Sequence, residues 1–380
     1  FAINNRGDVI SGVIIKFSNL NILYQYAAST EDGKKSQANS WLIWKIVSKF
    51  SNSKYKYLDL GTSYRMELDH FKKQFGIDVY PVIINPPKIL PNIRLSPYNN
   101  CPIQSSNNLE NLELRIRDFF GSDFTLLPDG SIAIYTILKK LKLKKSDVVT
   151  VITAFNTPYV SKHVTDEIEK FCKYSRKINK KTKVIYIIHE WGFPVSNIDE
   201  LLKYAKRNHI IVIEDCAHSL TSMINNKRIG TIGDYSIYSF PKVFPCQYGG
   251  MLRGISISDD EQREYGVFDN IKREKIKECL EINLKDIEES ANKRVRNFLY
   301  IDNGFKKMGF LPFKELKTGV TPHAYLLNTD SPYELVERLK LFGVEAGVYH
   351  KSNAIILPVH QNLNYNELDY ILGVVKSYFF

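Results

Sequence analysis

The chain has 380 residues, and none of its apolar runs approaches the roughly 18 residues a membrane-spanning helix needs. It opens without the charged stretch and short apolar segment of a signal peptide. Cysteine is sparse: Cys101, Cys172, Cys216, Cys246 and Cys279 are odd in number, scattered, and never spaced C-x-x-C. That pattern argues against a disulfide framework and a zinc site, and for a reducing, cytoplasmic compartment. Internal repeats are absent as well. What remains is the composition of an ordinary soluble globular protein, 44% hydrophobic and 24% charged, long enough for two or three domains. The first residue is Phe1 rather than Met, which raises the expectation that the first domain is cut short.

The net charge of +11 favours anionic partners. Nucleic acid is one candidate, and phosphorylated metabolites or nucleotide sugars are another. The lysines are spread thinly, and short groups such as those in 139–145 and 177–183 read as solvated faces.

Residues 9–29 read as two strands around an Asn-rich turn, followed by a helix in "SWLIWKIVSKFSNS", a short strand "YKYLDLG" and a helical turn "ELDHFKKQFG" closed by Gly76. The stretch 81–108 is rich in Pro, Asn and Ser and reads as linker and arm. From residue 109 helix and strand alternate. "DVVTVITAF", "TKVIYIIHE" and "HIIVIEDCA" have the continuous apolar character of strands buried on both faces, with the helix "NIDELLKYAKRN" between the last two. This succession predicts an α/β fold with a mostly parallel sheet. Residues 259–298 read as helical and charged, and the remainder as helix, strand, strand, helix in a small α+β domain.

In such sheets ligands sit beyond the carboxyl ends of the strands. Asp215 and His218 belong there, after "IIVIE". Lys242 follows the strand "DYSIYSF" and precedes Gly249-Gly250. Asp129-Gly130-Ser131 starts a helix whose free N–H groups suit a phosphate. Taken singly, these are a loop-capping acid, a satisfied histidine, a surface amine and a helix cap. Taken together they suit pyridoxal 5'-phosphate. That cofactor needs a lysine for its aldehyde, a carboxylate for its ring nitrogen, and donors for its phosphate. His189 and Trp191, in "IHEWGFP", could line the pocket or pack the strand end, and Phe155 and Asn156 read as packing.

Residues 109–380 resemble the DegT/StrS-type sugar aminotransferases of pyridoxal phosphate fold type I. The likeness lies in "LPDGSIAIYTIL", "IHEWGFPVSNIDELLKYAKRNHIIVIEDCAHS", "RIGTIGDYSIYSFPK…YGGM" and "ILPVHQNL". It implies that Asp215 pairs with the pyridine nitrogen and His218 lies near the ring hydroxyl. It also implies that Lys242 carries the cofactor and that Gly130, Ser131 and Ser239 hold its phosphate, with no metal. The family's Ser-Phe-x-x-x-Lys is shortened here to Ser239-Phe240-Pro241-Lys242, its Gly-Glu-Gly-Gly is Gln247-Tyr248-Gly249-Gly250, and its G-Y-N-x-R-M stretch is not recognisable. Residues 1–85 resemble the C-terminal half of a GNAT/Fem-like acyltransferase. The expected division is therefore 1–85, an arm at 86–108, a large domain at 109–258, and a helical segment with a small domain at 259–380.

The function these likenesses imply is transamination of a nucleotide-linked keto sugar by an amino-acid donor, on the way to an N-acylated amino sugar for a surface polysaccharide such as O-antigen. Lys242 stands where the family's dehydratases carry His. Further expectations are acyl-CoA at the N-terminal domain, a homodimer, no nucleic acid and no membrane insertion. The rival readings are an N-acyltransferase on a degenerate scaffold and a basic, non-enzymatic binding module.

Overall fold

In the computed structural model, residues 1–18, 21–55, 57–61, 71–76, 89–97, 112–121, 123–265 and 269–379 are described. Of the turn expected over 67–76 only the end is among them, and most of the stretch 81–108, Cys101 included, lies outside.

The apolar alternation of the first segment forms β1 (Ala2–Ile3), β2 (Val9–Ser18) and β3 (Asn21–Ser29), then α1 (Glu31–Lys35), α2 (Ala38–Phe50) and β4 (Tyr57–Asp59). The strands lie in the order β1-β2-β3-β4, with β3 and β4 parallel. Leu42, Ile43 and Ile46 recur at helical spacing on α2 and are buried, Ile43 and Ile46 in one core with Ile22, Tyr24 and Leu60. This sheet rests on the C-terminal helices: the Asn21 amide donates to the Met308 carbonyl, and Lys376 lies 4.0 Å from Asp59.

The buried apolar runs of the middle of the chain supply a seven-stranded sheet. Its elements are α3 (Leu112–Phe120), β5 (Phe124–Leu127), α4 (Gly130–Lys140), β6 (Val148–Thr153), α5 (Lys162–Glu169), β7 (Lys173–Ser175), β8 (Thr182–Ile188), α6 (Ile198–Arg207), β9 (Ile211–Asp215), a small hairpin of β10 (Met223–Ile224) and β11 (Lys227–Arg228) outside the sheet, β12 (Tyr235–Ser239) and β13 (Gly250–Arg253). The order is β5-β13-β12-β9-β8-β6-β7, all running one way except β13. The mostly parallel sheet is as the sequence predicts. The antiparallel β13 is an addition, because "GMLR" is too short and too mixed to read as a strand.

Three helices follow: α7 (Asp259–Glu264), α8 (Asn270–Leu284) and α9 (Ile287–Lys307). The last unit comprises β14 (Ala324–Asn328), α10 (Pro332–Leu341), β15 (Gly347–Tyr349), β16 (Ala354–Pro358) and α11 (Tyr365–Phe379). Its strands pair antiparallel in the order β14-β16-β15, over a core of Phe298, Ile301, Phe305, Tyr325, Leu339 and Leu372. β14 was not expected from sequence; "AYLLN" is an apolar run of only four residues. The parallel strands place the ends of β5, β6, β8, β9 and β12 along one edge of the large sheet, where Asp215 and Ser239 end β9 and β12.

Candidate active site

Asp215 is the last residue of β9, in register with Ile188 of β8 on one side and Ile237 of β12 on the other. Its carboxylate is buried. Oδ2 accepts from the Tyr186 hydroxyl at 2.9 Å and Oδ1 from the Ala217 amide at 3.0 Å, with no basic side chain bonded to it among the described residues. Burial holds the Asp215 pKa above its ordinary value, against the opposing pull of the Ala217 amide, Tyr186 and His189. Tyr186 is pushed well up by burial and by the carboxylate beside it, so it remains a donor. A buried acid supplied with neutral donors but no cation is a place where a positively charged ligand atom gains much.

The loop after β9 carries His218 into a stack of near-parallel rings. The imidazole lies 4.6 Å from Trp191 at 14° and 4.5 Å from His323 at 13°. Burial, then the charges of Lys242 and Arg294, bring the His218 pKa down to about 3. His323 is likewise held well below its usual range, by burial first. Both rings are neutral at pH 7, and His218 makes no hydrogen bond among the described residues. Trp191 adopts a left-handed backbone (φ 55°), followed by Gly192 at φ 95°. A Cβ on Gly192 would stand 2.1 Å from the Thr321 carbonyl. Glycine is what lets the 321–323 segment come close enough for His323 N–H to bond the Trp191 carbonyl at 2.8 Å.

Lys242 ends a short 3-10 turn, Phe240–Lys242, that follows β12. It is exposed, and its charge is among the causes that depress both His218 and His323. Its backbone carbonyl accepts from Arg294 of α9 at 3.2 Å. Beside the turn an open cavity of about 380 Å³ is lined by Ser96, Pro241, Cys246 and Gln247.

Asp129 caps α4 through its bond from the Ile132 amide at 2.9 Å, and the Gly130 and Ser131 amides at the helix start have no intrahelical acceptor. A Cβ built on Gly130 would meet Ser239 at 3.6 Å, so the hydroxyl of Ser239 stands beside those amides despite the shortened turn behind it. On the other side Gly250 packs directly under the helix start: a Cβ there would lie 2.7 Å from the Asp129 carbonyl carbon and 3.0 Å from the Gly130 nitrogen. Two amides and two hydroxyls at a helix N-terminus suit a phosphate.

The structure thus gathers Asp215, His218 and Lys242 along one sheet edge, with Gly130, Ser131 and Ser239 at the same edge. Trp191 stacks on His218 at this edge. His189 belongs to the fold: Nδ1 accepts the Val195 amide, so Nε2 carries the proton toward Glu214 at 3.2 Å. Glu214 also takes the amides of Gly230, Ile232 and Gly233. Burial opposes its ionisation, but the His189 bond and these amides prevail and keep its pKa low. His189 and Glu214 thus form a hydrogen-bond hub, and the Cys216 thiol, its pKa pushed well up by burial, lies beside them, the three offering ligand atoms within 4.8 Å of one another. Phe155 packs against Phe193, Phe313 and Tyr349. Its amide bonds Glu190, which also accepts from Tyr349 at 2.7 Å and so ties the large sheet to the last unit. Tyr186, His323 and Arg294 escaped the sequence reading. The first sits inside an apolar strand, and the other two lie more than 50 residues from the lysine they adjoin.

Comparison with known proteins adds the following. Residues 170–268 match the model of the DegT/DnrJ/EryC1/StrS aminotransferase family. A GDP-perosamine synthase from Vibrio cholerae is 29% identical over 150 residues, 36% of this chain and 40% of that protein. The chain spans less than half the length of the curated relatives it matches. Among solved structures, the aminotransferase TlmJ from Streptoalloteichus hindustanus superposes with a TM-score of 0.60 at 15% identity, covering 83% of this chain and 96% of that one. A DegT DnrJ EryC1 StrS aminotransferase from Brucella abortus does so with a TM-score of 0.58 at 16% identity, covering 74% and 91%. The chain has the α/β fold of these aminotransferases.

Proposed function

We propose that the chain is a pyridoxal 5'-phosphate-dependent aminotransferase that moves an amino group from an amino acid such as glutamate to a keto sugar carried on a nucleotide. The observation that carries this reading is Asp215: a buried carboxylate with donors but no bonded cation among the described residues, on the strand next to the one that leads to Lys242. When bound, the cofactor supplies an electron sink for charge developing on the substrate carbon. The rest falls to side chains. Asp215 would hold a protonated ring nitrogen, the Gly130 and Ser131 amides with the Ser131 and Ser239 hydroxyls would hold the phosphate, and neutral His218 with Trp191 would offer a flat wall. Lys242 Nζ would be the amine that holds the cofactor's aldehyde carbon and the group that would hold or move a proton at the substrate carbon.

The nucleotide-sugar substrate rests on the family match and on the relative named for a GDP-linked sugar. Residues 1–85 are read as a GNAT/Fem-like half-domain that would acylate the new amine from acyl-CoA, which makes the two parts consecutive steps toward a surface polysaccharide. The large domain is taken as 109–258 and the active unit as a cytoplasmic homodimer.

Purified with the cofactor, the protein should absorb near about 410–430 nm, a property of the lysine-linked cofactor. Lys242→Ala should lose that band and all half-reaction with glutamate while remaining folded. A Lys242→Ala protein that still forms a borohydride-reducible covalent adduct would overturn the assignment. A screen of nucleotide keto sugars then identifies the acceptor.

A further inference from the structure

The turn that carries Lys242 is short, and its own bonds are few: Val243 and Phe244 amides to the Phe240 carbonyl at 2.9 and 2.8 Å, and the Phe240 amide to Gly249 at 2.9 Å. Its outward carbonyls are met from another part of the chain. Arg294, on α9 and only 3% exposed, donates through Nη2 to the carbonyls of Lys242 at 3.2 Å and Val243 at 3.3 Å. Nε bonds Gln361 at 2.8 Å, and Nη1 reaches His323 Nδ1 at 3.4 Å and the His323 carbonyl at 3.5 Å. Gln361 closes the bracket by donating to the Val243 carbonyl at 2.8 Å.

No carboxylate is among these partners. Burial lowers the Arg294 pKa to about 9, which still leaves it charged at pH 7. A buried cation without a counter-charge is costly, and an apolar side chain of similar volume would serve stability better. A guanidinium, though, presents donors in a rigid planar fork, which an ammonium on a flexible stem cannot imitate. One such fork touches both sides of the site, the lysine turn and the His323 end of the ring stack.

We propose that Arg294 is a positioning residue that fixes the Lys242 turn against the ring stack, so that the lysine's place is set from α9 and the Gln361 loop as well as from its own strand. The effect on the cofactor rests on the reading of Lys242 given above; the effect on the turn does not.

The test uses Arg294→Met and Arg294→Lys in the full chain. Hydrogen exchange of the cofactor-free proteins reads the turn directly. Peptides across 240–249 should exchange at least tenfold faster in both variants, with peptides from β16 and α11 unchanged. Calorimetry with pyridoxamine phosphate, which has no aldehyde and cannot link to a lysine, should give an affinity within about threefold of the parent. Covalent capture of pyridoxal phosphate, fixed by borohydride and counted by mass, should fall at least tenfold. Unchanged exchange across 240–249 overturns the proposal. So does a Lys variant that matches the parent, because charge alone would then suffice, and so does an equal loss for both ligands, which is what a merely structural role gives. If the Met variant does not fold, the Lys variant, which keeps the cation, carries the measurement. A parent protein that forms no link at Lys242 sinks the transaminase reading, while the exchange result still decides the role of Arg294.

Discussion

Asp215 shows how much one register position can do. The sequence places it at a strand end, and that suffices to nominate it, as it nominates His218 and Lys242. What the sequence does not reveal is Tyr186, whose hydroxyl reaches Asp215 only because β8 and β9 pair so that Tyr186 faces Ile213, two residues before the acid. In "TKVIYII" a tyrosine reads as one more core residue. If Asp215 holds a protonated ring nitrogen, Asp215→Asn keeps the lysine-linked band but slows the half-reaction with glutamate by a factor of about 100 to 1,000, as loss of a charge-assisted contact would. A plain capping acid would instead cost about 1 kcal/mol of stability and leave the rate alone. Stopped-flow absorbance separates the two, and a rate within about threefold of the parent would return Asp215 to a structural role.

At the scale of elements, the strands with long apolar runs were legible, as was the short β4, while β13 and β14 were not. β13 and β14 are recognised by the chain only through neighbours: Gly250 pairs with both Ser239 and Leu127, which inserts an antiparallel strand between two that point the other way. At Gly250 the backbone comes close to the start of α4. Gly250→Ala should therefore push on backbone atoms of Asp129 and Gly130, which cannot swing aside. The expected cost is about 1–3 kcal/mol, with weaker binding of inorganic phosphate and of the cofactor together. Urea unfolding and phosphate titration check both halves. A variant as stable as the parent would mean that the helix start yields freely.

For the whole molecule, three neutral histidines make stability depend on pH. His218 and His360 are brought to about 3, and His323 well below its usual value, each by burial first. In the unfolded chain all three titrate near 6.5, so between that pH and the folded values the unfolded state binds more protons. Their contribution is complete above about pH 6.5 and is lost progressively as the pH falls below that value toward the folded-state pKa values. Asp215, with its raised pKa, works in the opposite sense and offsets a part. Urea midpoints of the cofactor-free protein should fall steadily from pH 7 to 5; a flat profile would mean that the three rings open to water. Assembly is a separate matter. The proposed homodimer should sediment as one species of twice the chain mass at micromolar concentration, and a monomer with cofactor bound would remove it.

The chain's three tryptophans divide unequally. Trp41 and Trp44 stand on the outer face of α2, 51% and 60% exposed, whereas Trp191 lies half-buried against the ring of His218. An aqueous collisional quencher reaches the first two readily, and the fluorescence that survives it comes mainly from the third. That residual emission belongs to the wall of the site itself. A flat ligand absorbing in the violet would drain it by energy transfer, and a protonated His218 would dim it by contact. The molecule therefore carries its own optical gauge of occupancy and protonation, with no label attached.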